Sequence, residues 1–333
     1  MRKFIIALVF LLAIILVISR FAELQDIAMV LRQGDWRYVA LALLLEIFWL
    51  FNLSFTFQAV YNALGLKSKK QHMIILSTTA YFVGTIAPSV GVTGLAIFLA
   101  DGQRRDYPSG KVTAACMIVL VMEYVALLIV VSLGMIVLFR RKNLNWTEIS
   151  AFIILFLIAL SIILIIYLSM KSPKKLGKIF SWFARFINRV VKLFTKKPGL
   201  PVERAKSFAK DISDGIEALK DNPRGLLLPF VFAMLNKAIL ISIMYLIFLA
   251  FKIPYSIGTL VAGFGLANLF LIVSPTPSGV GFVEGILTLY LNSVGIFLEG
   301  ATIVALGFRG ITFWIPLIAG LFTFRNFSLK TKE

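Results

Sequence analysis

Apolar positions in this chain gather into long unbroken runs, with no strand-like alternation and no single helical stripe. The runs are Phe4–Ile18, Trp36–Val60, Ile74–Ala100, Ala114–Phe139, Ile149–Ser169, Leu226–Phe251, Tyr255–Val273, Ile286–Leu298 and Ala301–Phe324. Segments apolar on every side are expected as membrane helices, and a bilayer core takes about 20 such residues per helix. Ile286–Leu298 falls short of that length. Proline and glycine break the pattern twice: within Ile74–Ala100 at Ala87-Pro88-Ser89-Val90-Gly91-Val92-Thr93-Gly94, and between Tyr255–Val273 and Ile286–Leu298 at Pro275-Thr276-Pro277-Ser278-Gly279-Val280-Gly281-Phe282-Val283-Glu284-Gly285. A helix does not pass such a stretch unbroken, because proline lacks an N–H and crowds the preceding turn. Backbone left unpaired at membrane depth survives only where protein or a watery cavity satisfies it, so each break marks a candidate site. The expected fold is an all-α, polytopic integral membrane protein of about six to eight transmembrane helices, with broken or re-entrant hairpins, forming one domain over residues 1–333.

The polar positions set the expected topology. Lys171 to Arg224 is the one long polar stretch, with fourteen Lys and Arg against five acids. By the positive-inside tendency it is cytoplasmic. Within it Ile179, Trp182, Phe183, Phe186, Ile187, Val190 and Phe194 recur at helical spacing, and Ala205, Phe208, Ile212, Ile216 and Leu219 do so again. Both read as amphipathic helices at the headgroup plane. With the N-terminus inside and Ile74–Ala100 re-entrant, 25 Lys and Arg lie inside and 7 outside; with the N-terminus outside and that segment crossing, the split is 23 to 9. Charge barely separates the two, and the break at Pro88 favours the re-entrant version, with both termini cytoplasmic. Pro88-Ser89-Val90-Gly91 also echoes Pro277-Ser278-Gly279-Val280-Gly281. The two breaks then enter from opposite faces, the pattern of an inverted repeat with its binding site between the breaks. Met1-Arg2-Lys3 and the first run resemble a signal peptide, but Ser19-Arg20-Phe21-Ala22 is a poor cleavage site, so a retained first helix is expected.

Composition narrows the function classes. The chain is 59% hydrophobic, only 15% charged and has a mean hydropathy of +0.92, far from the soluble average. Its net charge of +18 lies between apolar runs, so anionic membrane lipids are the expected partner and nucleic acid is not. Cys116 is the sole cysteine and His72 the sole histidine, which leaves no disulfide, no usual zinc set and no Ser-His pair. The nearest thing to a metal cluster, Asp101-Gly102-Gln103-Arg104-Arg105-Asp106, reads as a polar turn. No metal, cofactor or catalytic residue is expected.

Five ionisable residues fall within or beside apolar runs: Glu46, Glu123, Lys237, Glu284 and Arg309. Each costs about 3 kcal/mol at helix centre, so they must face one another, water or a polar ligand. Internal ion pairing is one reading; a polar path for a charged headgroup is the other. Arg309 suits a phosphate, since guanidinium matches its oxygens bidentately. Glu284 lies beside Gly281 and Gly285 and suits a cationic headgroup or a coupling proton. Glu123 has Tyr124 beside it as a hydrogen-bonding neighbour. Glu46 and Lys237 are weaker candidates, near enough to helix ends to snorkel. The candidate path is therefore Pro88, Ser89, Gly91, Gly94, Glu123, Pro277, Ser278, Gly279, Gly281, Glu284 and Arg309.

Three places resemble the flippase-like transmembrane region of the lysylphosphatidylglycerol synthase family, the membrane half of multiple peptide resistance factors. They are Pro88 to Gly94 with Glu123, Pro277 to Gly285, and Arg309 with Trp314-Ile315-Pro316-Leu317-Ile318-Ala319-Gly320. The resemblance implies a domain that moves or binds lipid. Full-length members continue into a cytosolic aminoacyltransferase domain and this sequence ends at Glu333, so lipid synthesis is not implied. Where the family has an arginine after its fourth-segment glutamate, this chain has Tyr124. The leading expectation is a lipid flippase or polar-lipid transporter of the cytoplasmic membrane, not an enzyme, and without a Walker-type loop to use ATP. The alternatives are an intramembrane lipid-modifying transferase and a lipid-binding scaffold.

Overall fold

The computed structural model describes residues 27, 29–86, 92–140, 146–171, 223–274 and 276–329, with isolated residues between 177 and 213. Its helices are α1 (Trp36–Ala63), α2 (Lys70–Ile86), α3 (Val92–Arg104), α4 (Ser109–Arg140), α5 (Trp146–Lys171), α6 (Leu227–Ala250), α7 (Ile257–Val273), α8 (Phe282–Ser293) and α9 (Leu298–Leu329). Among the described residues there are no strands. Trp36–Ala63, Ser109–Arg140, Arg224–Ala250 and Leu298–Arg325 are each long and apolar enough to cross a membrane. The expected all-α membrane fold is what forms. The first apolar run, both expected amphipathic helices and Pro88, Ser89 and Gly91 lie outside the described residues, apart from scattered positions such as exposed Trp182.

Local chemistry sets the helix starts. The Asp35 carboxylate accepts the Arg37 N–H at 3.0 Å to open α1, and Ser256 Oγ accepts the Thr259 N–H at 3.1 Å to open α7. The last apolar run begins earlier than its composition indicates: α8 stops at Ser293, the chain turns through Gly295 (φ +94°), and Leu298 already belongs to α9.

Both broken segments double back. His72 Nε2 of α2 lies 2.9 Å from Asp101 Oδ2 of α3, and a Cβ at Gly94 would sit 2.8 Å from the Ala80 carbonyl. These pairs are centred on the same point of the chain, as the two limbs of an antiparallel hairpin require. In the second hairpin Phe270 meets Phe282 with ring centroids 6.2 Å apart, and Gly263 faces Tyr290 and Leu287. Asp101 is thus held by His72 and by Arg105 at 3.1 Å, in helix α3 and its end rather than in a loop.

The halves repeat. Adding 187 to Trp36 and Ile86 gives positions 223 and 273, the limits of the short 3-10 turn at Pro223 plus α6 and α7. Adding 189 to Ser109 and Arg140 gives 298 and 329, the limits of α9. The two-residue difference falls within the second break. Counted from the helix before it, Pro88 corresponds to Pro275; counted from the helix after it, to Pro277. Packing follows the repeat: α1 lies on α6, α2 on α9 and, reciprocally, α7 on α4. The partners α1 and α6 run antiparallel. Asp35 N–H donates to the Ala250 carbonyl at 2.9 Å, while Asn52 Nδ2 reaches the Phe232 carbonyl at 2.8 Å at the other end of α6. An antiparallel pairing of equivalent helices makes this an inverted repeat. The largest core cluster joins both halves through residues such as Trp49, Leu53, Ile243, Phe264, Val304 and Phe308. On α5, by contrast, Ile153, Phe156, Leu157, Leu160 and Leu164 are exposed, as a lipid-facing helix requires.

Candidate functional site at the second helix break

The second break has the geometry that its prolines and glycines demand. Pro277–Gly279 forms one 3-10 turn in which Ser278 takes φ 53°, ψ 19°, and Gly279 and Gly281 follow with φ +72° and +79°. Three left-handed positions in four residues suit glycine, and Ser278 holds its place through two contacts. Its Oγ donates to the Thr85 carbonyl near the end of α2, and its own carbonyl accepts Arg309 Nη2 at 2.7 Å. Through Thr85 the second break rests against the helix that leads into the first one.

Arg309 and Glu284 close the site. Arg309 Nε donates to Glu284 Oε1 at 3.0 Å, with both side chains about nine-tenths buried. The guanidinium also stacks on the Phe313 ring, 5.2 Å from its centroid. Glu284 stands in the first turn of α8, where a carboxylate complements the helix dipole. Among the described residues the turn has no side-chain cap, and Glu284 Oε2 has no hydrogen-bond partner. Gly281 and Gly285 flank it, exposed, with nothing within 4 Å of where a Cβ would stand. A buried cation, a half-used carboxylate and an open backbone surface therefore meet at one point.

Glu123 lies elsewhere. Its Oε2 accepts Lys237 Nζ at 2.6 Å and its Oε1 accepts Asn236 Nδ2 at 2.6 Å; Asn236 Oδ1 in turn accepts Asn52 Nδ2 at 2.6 Å. This chain of four side chains runs through α4, α6 and α1. Among the described residues no hydrogen bond links it to Arg309 or Glu284. Lys237 does not snorkel: it sits eleventh in the 24-residue α6 and is spent on Glu123. Glu46 does not snorkel either. It is about 15 Å into α1 and fully buried, with neither carboxyl oxygen hydrogen-bonded among the described residues. Gly94 is a close-packing residue inside the first hairpin. Reading the sequence missed Asn52, Asn236, Tyr81 and Thr85. An asparagine within an apolar run is the same kind of signal as a buried charge, and Asn52 and Asn236 carried it.

A family model described as the lysylphosphatidylglycerol synthase TM region matches residues 4–320. The chain belongs to this family. The match spans both hairpins, both ion pairs and Glu46, and makes the chain a multi-pass membrane protein. A UPF0104 membrane protein of Methanothermobacter thermautotrophicus is 22% identical over 334 residues, covering 99% of this chain and 96% of that relative.

Proposed function

We propose that this protein binds a phospholipid headgroup at the second helix break and carries it across the cytoplasmic membrane, leaving the acyl chains in the bilayer. The observation that carries this reading is the buried Arg309–Glu284 pair beside the exposed backbone of Gly281 and Gly285. A phosphate has the geometry to take over the guanidinium edge now held by Glu284 Oε1, with the uncapped N–H groups of α8 beside it. The displaced Glu284 carboxylate then faces the headgroup and suits a cationic substituent. Family membership and the inverted repeat support the same reading, because transporters built this way place their sites at interrupted helices. On this reading the termini and the Lys171–Arg224 loop are cytoplasmic, anionic lipids are the partners, and no chemical step is needed.

The test is movement of fluorescent phospholipids in vesicles holding the purified full chain, wild type beside Arg309→Ala and Glu284→Ala. Movement by wild type, lost in both variants while they remain folded, supports the reading. Unchanged movement in the variants removes these residues from the path. No movement with any headgroup by folded wild type overturns transport and favours the lipid-binding scaffold.

A further inference from the structure

Glu46 is a titratable residue that the lipid path leaves unused. Its exposure is 0%, and neither carboxyl oxygen has a hydrogen-bond partner among the described residues. One turn further along α1 the Trp49 indole N–H is also buried, with no partner among the described residues. A carboxyl buried in such a place, without a cation or donor among the described residues, is held as the neutral acid far more easily than as a carboxylate. The surroundings are assignable helix by helix. From α2 comes Tyr81, edge-on to Trp49 at 5.2 Å between centroids. One turn further along α2 the Thr85 carbonyl accepts Ser278, whose own carbonyl accepts Arg309 of α9, the partner of Glu284. On the α4 and α6 side the charged groups are Glu123 and Lys237, which neutralise each other.

We propose that Glu46 is a proton-binding site, and that its proton decides whether Arg309, joined to it through Trp49, Tyr81, Thr85 and Ser278, accepts an anionic phosphate headgroup. The coupling half of this rests on the lipid reading above; the proton site does not. Charge count gives the direction. With Glu46 neutral, the Glu284–Arg309 pair leaves the region at zero charge, and one bound phosphodiester brings it to minus one. With Glu46 ionised the same phosphodiester brings it to minus two in a desolvated place, where like charges repel strongly. The proton on the Glu46 carboxyl and the phosphate thus favour each other's binding. By reciprocity, loss of that proton to water on either side favours release of the headgroup there. One proton would accompany each anionic headgroup, and the net charge carried would be zero.

The experiment has two arms on the purified full chain in detergent. Infrared difference spectra across a pH titration read the protonated-carboxyl stretch directly, with no lipid transport needed. Loss of one such band in Glu46→Gln, and its return at a shifted position in Glu46→Asp, supports the site; spectra identical to wild type overturn it. The second arm measures binding of a short-chain phosphatidylglycerol from about pH 6 to about pH 10, where wild-type affinity should fall by about tenfold or more. In Glu46→Gln, a permanently neutral mimic, affinity should stay at its acid value throughout. A pH dependence that survives in Glu46→Gln overturns the coupling. If wild type binds no phospholipid at any pH while the band still belongs to Glu46, the lipid reading fails, the coupling falls with it, and the proton site stands.

Discussion

The two halves share one helical plan but place their charges differently. In the second half, Arg309 of α9 and Glu284 of α8 stay within their own half and hold its break, with Ser278 as the third member. The matching positions of the first half, counted by the same offset of 189, are Leu120 and Leu95, both apolar. One carboxylate of the first half, Glu123, reaches out of its own half to Lys237 and Asn236 of α6, and Asn52 of α1 extends the line. Burial differs too: Glu284 and Arg309 are 9% and 10% exposed, Glu123 and Lys237 20% and 11%. An inverted repeat thus supplies a symmetric frame while the side chains divide the work. One ion pair organises a break, and the other ties the halves together.

Removing a cation from each pair tests that division most strongly. Arg309→Ala leaves Glu284 buried without its cation and the Ser278 carbonyl without a donor, a loss of about 3–5 kcal/mol. Lys237→Ala leaves a carboxylate that still accepts Asn236 and is better reached by solvent, for about 1–3 kcal/mol. Thermal unfolding in detergent should rank the variants in that order, and the reverse ranking would place the structural weight in the first pair. Lipid movement sharpens the contrast: Glu123→Gln keeps the Asn236 contact and should retain most of it, whereas Glu284→Gln should not. Loss in both would make Glu123 part of the headgroup path after all.

The hairpins offer a smaller comparison. The first is clamped where Gly94 meets backbone, its Cβ site 2.8 Å from the Ala80 carbonyl. The second approaches less tightly at Gly263, 3.3 Å from a ring atom of Tyr290. Gly94→Ala must move main chain and should cost about 1–3 kcal/mol, while Gly263→Ala meets a side chain able to shift and should cost less than about 1 kcal/mol. Equal melting shifts would mean the first limbs can slide apart freely.

How much of this the sequence disclosed follows from what one-dimensional pattern encodes. Long apolar runs and proline–glycine breaks are local properties, so the helices, the doubled-back segments and the breaks between them were legible. The five charges in or beside the apolar runs were legible as well, since a charge among apolar residues is conspicuous. Their pairing was not. Glu123 and Lys237 stand 114 residues apart, and nothing local says which face of α6 meets α4. Glu46 and Lys237 looked able to snorkel because the apolar runs alone do not show where the helices end. The inverted plan shows in helix lengths, but the residues do not repeat it: Glu46 and Glu123 correspond to Ala233 and Thr312. Selection for packing preserves helix length and crossing more readily than it preserves the identity of any one side chain.

The smallest expected effect on stability is the most telling about the path. Gly285 lies in the first turn of α8, exposed, with nothing within 4 Å of where a methyl would stand. Replacing it with alanine removes glycine's helix penalty, so Gly285→Ala should be neutral or more stable by up to about 1 kcal/mol. The methyl would nevertheless stand next to Glu284, over the open backbone that a headgroup must cross to reach Arg309. Slower lipid movement in a protein that melts no lower than wild type would fix the approach on this face of α8. Unchanged movement would send the headgroup past Ser278 instead, where Thr85 and the end of α2 form the other wall, and the first hairpin would then share in the site that its own residues do not charge.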